Sequence, residues 1–264
     1  MIFQGNITII AVLIFSVAFP IGLLIWWKRK TGEKLRPFLV GAICFGLFAM
    51  ILERILHQVF LINENPVSHT ILASPVLYTI YAAFAAGIFE ETGRLFGYKI
   101  LLGKYHNNSC AVAYGIGHGG CEVLILLGIN YLALLLAQLG VNLGGEAVNA
   151  HLIATANAIS FAPACLGMLE RVFAMMTHVG LSMLVFVAAR EKGLFWLYLV
   201  AILLHALTNV PAALYQYQIL TSLFVLEVAT FMISAFCLVL GIRTLRKYGN
   251  RRYMENESQR KQSL

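Results

Sequence analysis

Two adjacent carboxylates and an arginine, Glu90, Glu91 and Arg94, lie near the end of an apolar run that begins around residue 71. A charge placed in a membrane helix costs about 2.5–3.5 kcal/mol on insertion scales, so charged residues retained there usually mark a functional site. Residues three and four apart share one helical face, so Arg94 can reach either carboxylate. The structural alternative is a buried ion pair that only fixes helix packing.

Three histidines lie on other apolar runs at a similar depth. Counting about 1.5 Å per residue from the nearest basic residue or helix start places Glu91 and His118 roughly 12 Å into the membrane, and His178 and His205 roughly 18–20 Å. These depths fall between the inner third and the centre of a hydrocarbon core about 30 Å thick. A single membrane histidine is usually a packing residue, but three at one level beside a carboxylate pair favour a functional site.

Two of these histidines have a polar residue one helical turn away. Glu122 follows His118 by four residues and Asn209 follows His205 by four, so each pair shares a helical face. A glutamate beside a histidine can take a proton from water, and an imidazole or amide N–H can stabilise the oxyanion that forms. The residues therefore suit hydrolysis, with Glu122 and His178 as supporting groups.

A metal site is the alternative use of the same side chains. His118, His178 and His205, with Glu90 or Glu91, would supply the nitrogen and oxygen donors that Zn²⁺ prefers. The sequence contains no His-Glu-x-x-His segment, so its motifs allow a zinc cofactor without requiring one.

Composition restricts the class of protein. The chain has 264 residues, is 60% hydrophobic and only 12% charged, and has a mean hydropathy of +0.80. These values exclude a soluble domain and indicate an all-α, polytopic helical membrane protein. The net charge of +7 comes from basic residues at the ends of apolar runs, which is the pattern of membrane topology and gives no reason to expect nucleic acid as a partner. The five cysteines show no paired spacing and are expected to be small core residues.

Seven apolar runs predict seven transmembrane helices in a single domain over residues 1–242, followed by a basic cytoplasmic tail over 243–264. The runs cover about 7–27, 37–61, 71–100, 110–138, 168–189, 194–214 and 219–242.

The segment 146–166 is apolar but interrupted by polar residues and Pro163, and we interpret it as a re-entrant or surface helix. This interpretation places 16 of the 19 Lys and Arg residues in cytoplasmic segments and the other three inside spans. The asymmetry predicts a multi-pass plasma-membrane protein with its N-terminus outside and its C-terminus in the cytoplasm.

A second set of charges falls toward the outer face. Glu53 and Arg54 lie on the second run, and Glu170 and Arg171 lie on the fifth. We expect the two sets to pair crosswise and to lock these helices together, which is a structural role.

Three ordered motifs resemble the type II CAAX-prenyl protease and bacteriocin-processing superfamily, and most closely its YhfC branch of intramembrane peptidases. They extend over about residues 75–215 and read Glu90-Glu91…Arg94, Tyr114-x-x-x-His118 and His205-x-x-x-Asn209.

The resemblance implies a role for each motif residue. The first glutamate and His118 would activate water, His205 and Asn209 would form the oxyanion site, and Arg94 would hold the second glutamate. Glu122 and His178 look like additions of the YhfC branch. The expected activity is cleavage of a membrane-embedded or juxtamembrane peptide toward the cytoplasmic side of the bilayer, by a metal-dependent or a glutamate-dependent mechanism.

Two other functions are compatible with the same residues. A non-enzymic scaffold or immunity-type protein would use the polar centre for stability or partner binding. An ion or metal transporter would use it as a relay, although the chain shows no inverted repeat and no paired broken helices.

Overall fold

The structure, a computed structural model, describes residues 2–249, and nine helices make up this part of the chain. Their bounds are α1 Ile2–Thr31, α2 Leu35–Ile62, α3 Pro66–Ala73, α4 Pro75–Leu101, α5 Asn108–Gln138, α6 Glu146–Ala158, α7 Phe161–Arg190, α8 Trp196–Gln216 and α9 Leu223–Tyr248. Residues 243–248 of the predicted tail continue the last helix, and residues 250–264 lie outside the described part.

Six of these helices (α1, α2, α5, α7, α8 and α9) are each long and apolar enough to cross a membrane. Helices α3 and α4 pass the same test only as a pair, bent by 106° at the break between them, and they make the seventh candidate span. The polytopic helical architecture predicted from composition is therefore confirmed.

The short helix α3 and the sharp bend after it are absent from the sequence prediction. Asn65 accepts hydrogen bonds from the backbone of Val67 and Ser68, and the Ser68 hydroxyl accepts one from the Asn65 backbone, which forms a capping box. Pro66 occupies the first helical position, where the missing N–H costs nothing. The local sequence therefore starts a separate helix ahead of α4.

The predicted helix over 146–166 has different bounds in the structure. Helix α6 ends at Ala158, and residues 161–166 are the first turns of α7. Pro163 does not interrupt a helix because it lies in the first turn of α7, where backbone N–H groups have no intrahelical partner. Helix α6 has 13 residues and packs through Ala156 against Ile9 of α1 and Leu134 of α5.

Glycines allow the central helices to touch through their backbones. A Cβ on Gly117 of α5 would lie 1.9 Å from the Phe38 carbonyl oxygen of α2, and one on Gly41 would lie 2.2 Å from the Tyr114 carbonyl oxygen. A Cβ on Gly180 of α7 would lie 2.4 Å from the Cys237 carbonyl oxygen of α9. Small residues at helix crossings permit this close packing in membrane proteins.

Basic residues gather at one end of the bundle. The Arg190 guanidinium donates to the carbonyl groups of Tyr98, Leu102 and Tyr105, and Arg36 donates to the carbonyl of Leu101. The ends of α4 and α7 and the start of α2 therefore meet at this basic end.

The expected crosswise pairing of Glu53 and Arg54 with Glu170 and Arg171 is wrong. Glu53 pairs with His57 one turn later on its own helix, at 3.1 Å, whereas Arg171 pairs with Glu122 and Glu170. Adjacent residues on a helix point in directions about 100° apart, so Glu53 is buried while Arg54 is exposed.

Candidate active site

Four helices converge on one group of polar side chains between the two ends of the bundle. Helix α4 contributes Glu90, Glu91 and Arg94, and α5, α7 and α8 contribute His118, His178 and His205, respectively. All six side chains are buried. We call these six residues the polar centre.

Glu91 and Arg94 form a bidentate ion pair inside α4. Arg94 Nε donates to Glu91 Oε2 at 2.9 Å, Nη2 donates to Oε1 at 3.1 Å, and both residues are fully buried. Arg94 Nη1 also donates to the backbone carbonyl of His178 at 3.0 Å and to the Ser182 hydroxyl. The charges of Glu91 and Arg94 therefore neutralise each other, and the further hydrogen bonds of Arg94 connect α4 to α7.

Glu90 has a different environment from its neighbour. Its Oε2 shares a hydrogen bond of 2.8 Å with His118 Nε2 and lies 3.9 Å from His178 Nδ1. Its Oε1 lies 3.8 Å from His205 Nε2. Three imidazoles from three other helices thus surround one carboxylate.

His205 links the two glutamates. Its Nδ1 lies 2.7 Å from Glu91 Oε1. Because the carboxylate of Glu91 is ion-paired with Arg94, it can only accept hydrogen bonds, so His205 Nδ1 carries the hydrogen. The other ring nitrogen, Nε2, is the one that faces Glu90.

His178 is oriented in a similar way from the opposite side. Its Nε2 contacts Glu122 Oε2, and the other oxygen of Glu122 pairs with Arg171. The Glu122 carboxylate therefore accepts the Nε2 hydrogen, which leaves the Nδ1 lone pair directed toward Glu90 and, at 3.3 Å, toward Arg94 Nη2.

A cavity of about 470 Å³ borders the polar centre between α4, α7, α8 and α9. Its wall includes Glu90, Glu122, His178, His205, Asn209 and Glu227. It extends toward the starts of α7 and α9, away from the basic end. Its volume is in the range of small-ligand sites, which is about 300–1,000 Å³.

The structure places every sequence-predicted site residue in or beside this cavity or in direct contact with a residue that borders it. Asn209 lies on the wall one turn from His205, whereas Glu91 and Arg94 hold His205 and His178 from behind. Sequence reasoning missed Ser182 as a partner of Arg94. Ser182 follows His178 by four residues and therefore shares its helical face, and this spacing was the sequence feature that could have indicated the contact.

Sequence reasoning also assigned Arg171 to the wrong partner. Seven residues, or about two helical turns, separate Arg171 from His178. That spacing puts both on the face of α7 that Glu122 contacts.

The donor set at Glu90 fits a divalent metal ion. Glu90, His118 and His178 each offer one ligand atom, and these atoms lie within 4.8 Å of one another. A carboxylate with two imidazoles is a catalytic zinc ligand set, and tetrahedral bonds of about 2.0–2.1 Å require donors roughly 3.4 Å apart. Arg94 Nη2 lies 3.3 Å from His178 Nδ1, and a metal ion held by that nitrogen would replace this contact.

His205 lies beside this donor group, with its Nε2 3.8 Å from Glu90 Oε1, and its part as a third histidine ligand stays a prediction. Its Nδ1 is bonded to Glu91. In many metal sites a carboxylate bonded to the second ring nitrogen orients the imidazole ligand. Glu122 has this position behind His178, and Glu91 has it behind His205.

Comparison with known proteins identifies the family. The chain is 34% identical over 247 residues to the uncharacterized membrane protein YhfC of Bacillus subtilis (strain 168), an alignment that covers 88% of this chain and 94% of that protein. No solved structure matches the chain. The YhfC intramembrane metalloprotease family matches residues 15–230, and the chain therefore belongs to this family.

Proposed function

We propose that the protein is an intramembrane peptidase in which Glu90 is the reacting carboxylate. The observation that supports this most directly is the position of Glu90, on the wall of the cavity and within hydrogen-bonding or ion-pairing distance of imidazoles from three other helices. A carboxylate in this position can accept a proton from water and return it to the leaving amine.

Glu90 rather than Glu91 takes this role because the two carboxylates differ in their partners. Both oxygens of Glu91 are engaged by Arg94, and one also by His205. These contacts support Glu91 as a positioning residue and Glu90 as the proton acceptor.

His205 and Asn209 are the groups proposed to stabilise developing negative charge. The Nδ1–H bond to Glu91 fixes the imidazole with Nε2 toward Glu90, on the cavity wall that also carries the Asn209 carboxamide. In the imidazolium form both ring nitrogens carry a hydrogen, and Nε2–H would then be a donor to the oxyanion. Donors fixed before the reaction act most effectively in a site that excludes water.

In the metal-dependent alternative, Glu90 would be a zinc ligand together with His118 and His178 instead of the proton acceptor, and Glu122 and Arg171 would orient His178. When bound, zinc would supply Lewis-acid polarisation of the scissile carbonyl and of the attacking water.

The proposed topology places the basic end of the bundle in the cytoplasm and the N-terminus outside. The Lys and Arg residues at this end support it through the positive-inside rule. Glu90 lies about 13 Å along α4 from Lys99, and so it is nearer to the cytoplasmic end of that helix. The cavity, however, extends from Glu90 toward the opposite end of the bundle, and we therefore propose that a membrane-embedded peptide reaches Glu90 from the outer side. Relation to CAAX-type peptidases stays a proposal based on the three motifs.

Cleavage of membrane-embedded peptides tests the proposal. The purified protein would be reconstituted in liposomes with a quenched-fluorescent library of peptides that each carry one apolar span. Glu90→Gln and His118→Ala should abolish cleavage. Glu53→Gln is the matched control, since it neutralises a buried carboxylate outside the polar centre and should retain activity.

Retained cleavage in Glu90→Gln would overturn the mechanism. Absence of cleavage by the wild-type protein, with ion flux across the same liposomes, would instead favour transport. Loss of folding in every polar-centre variant, with neither cleavage nor flux in the wild type, would favour a scaffold.

A further inference from the structure

A second cavity, on a different side of α7 from the polar centre, has the chemistry of a lipid site. It is a groove of about 560 Å³ between α1 and α9, with a floor formed by α5 and α7. Its walls and floor are apolar and include Phe19, Leu23, Ile116, Val179 and Ile242. We call it the α1–α9 groove. No acidic residue among the described residues 2–249 lines it.

Two cations lie at one end of the α1–α9 groove. Lys30 at the end of α1 and Arg246 near the end of α9 line its rim, and both are exposed. Within residues 2–249, neither forms an ion pair with a carboxylate. Both therefore remain able to bind an anion at the basic end of the bundle.

Two tryptophans mark the depth of this rim. Trp26 and Trp27 line the same end of the groove, with the Lys30 ammonium 4.8 Å from the centre of the Trp26 ring and Trp27 Nε1 donating to the Ser109 carbonyl at 3.0 Å. Tryptophan is enriched at the level of lipid headgroups. The apolar part of the groove therefore extends from the headgroup level into the hydrocarbon core.

The length of the groove matches one leaflet. From Lys30 to Phe19, α1 rises about 16 Å, and half of the hydrocarbon core is about 15 Å. A transmembrane helix needs about 20 residues and the full thickness of roughly 30 Å, so the groove is too short for a spanning peptide. An acyl chain with an anionic headgroup at the rim fits both its length and its charge.

We propose that the α1–α9 groove binds one anionic phospholipid of the leaflet at the basic end, with its phosphate at Lys30 and Arg246 and an acyl chain along α5 and α7. Juxtamembrane basic residues attract anionic lipids, and basic pockets between transmembrane helices bind their headgroups. This site is separate from the proposed hydrolysis and does not depend on it.

Tryptophan quenching by brominated lipids tests the proposal. The chain contains three tryptophans, so Trp196→Phe, at an exposed position at the start of α8, leaves only Trp26 and Trp27 as reporters. This variant would be placed in phosphatidylcholine nanodiscs and titrated with phosphatidylglycerol or phosphatidylcholine brominated near the headgroup end of the chain. We expect brominated phosphatidylglycerol to quench at a markedly lower mole fraction.

Charge-matched variants distinguish a site from general surface attraction. Removing Lys30 and Arg246 as Lys30→Gln/Arg246→Gln should lower the preference for phosphatidylglycerol by about fivefold for each cation. Arg29→Gln/Arg243→Gln removes the same charge from neighbouring positions that do not line the groove, and should leave most of the preference intact.

Three results would overturn the proposal. Equal quenching by the two lipids would mean ordinary annular contact, and an equal loss in both variant pairs would mean nonspecific attraction to the basic end. Relief of quenching by a single-span apolar peptide, whichever headgroup is present, would mean that a helix occupies the groove.

Discussion

Two regions of this protein hold charge inside apolar helices, and they differ in how many helices meet there. The polar centre receives side chains from four helices and borders a cavity. The second region consists of Glu53 and His57 on α2 with Tyr81 of α4, whose hydroxyl lies 2.9 Å from His57 Nδ1. It involves two helices and does not border the cavity.

The difference shows which buried charges indicate function. In both regions a glutamate pairs with a basic residue three or four positions later on the same helix. The sequence alone cannot show which of these pairs belongs to a functional site. In the polar centre, Arg94 also satisfies a carbonyl and a hydroxyl on α7, and so its pair fixes two helices at once. In the second region, the His57 side chain is 27% exposed and its pair is mainly internal to α2. Convergence of helices, rather than charge alone, marks the candidate site.

The largest expected effect follows from breaking the ion pair of the polar centre. Arg94→Met leaves Glu91 buried without its cation, and should lower the free energy of unfolding by about 3–5 kcal/mol. Denaturant unfolding in mild detergent measures this loss. Arg94→Met/Glu91→Leu removes both charges and should regain much of it. A single variant as stable as the wild type would contradict the assigned role of the pair.

The next effect concerns the positioning of His178. Glu122→Gln keeps the shape but weakens acceptance of the Nε2 hydrogen, and should reduce zinc affinity by about 10- to 100-fold. Competition with a chelator, on protein purified without a metal-affinity step, measures this affinity. Glu53→Gln serves as the control and should bind zinc normally. Unchanged zinc affinity in Glu122→Gln would show that Glu122 does not support the metal site. If the wild-type protein binds no zinc, the metal-dependent mechanism is wrong.

A smaller effect is expected where α2 and α5 touch. Gly117→Ala would place a Cβ 1.9 Å from the Phe38 carbonyl oxygen, which forces apart the helices that hold His118 and should cost about 1–3 kcal/mol of unfolding free energy. Gly22→Ala is the matched change, because a Cβ there meets nothing within 4 Å. Thermal unfolding in detergent should leave Gly22→Ala unchanged or slightly stabilised. Equal losses in both variants would argue against the close crossing.

The smallest effect should come from the second region. His57→Gln removes a partly exposed pair, so we expect a loss of at most about 1 kcal/mol. Peptide cleavage should be unaffected in the same variant. A loss as large as that of Arg94→Met, or an inactive protein, would make the two regions equivalent and remove the distinction drawn between them.

Much of the fold follows from the sequence because each transmembrane helix carries its own signal. Apolar length and the basic residues at helix ends predicted the polytopic architecture without any knowledge of packing. Local exceptions had local causes that were misread. Asn65 and Ser68 cap a separate helix α3, and Pro163 lies in the first turn of α7 rather than in a break.

The residues that meet at the candidate site could be named from the sequence, and so could the pairing of Arg94 with Glu91. Other pairings could not. Counting residues from the membrane surface gives depth, and depth alone brought Glu91, His118, His178 and His205 to a similar level. The rotation of each helix is set by its contacts, such as the glycine crossing at Gly117. For that reason the partners of Glu122 and Arg171 could not be inferred from spacing.

The sequence by itself determined that the chain is a helical membrane protein and which charged residues its apolar helices carry, and it predicted how deep in the membrane they lie. Only the tertiary structure decided that Glu90 faces the cavity while Glu91 is held by Arg94. The physical reason is that adjacent positions on one helix differ by about 100° in direction. A carboxylate's partners therefore depend on which neighbouring helix lies in that direction, and this is fixed by packing between distant parts of the chain.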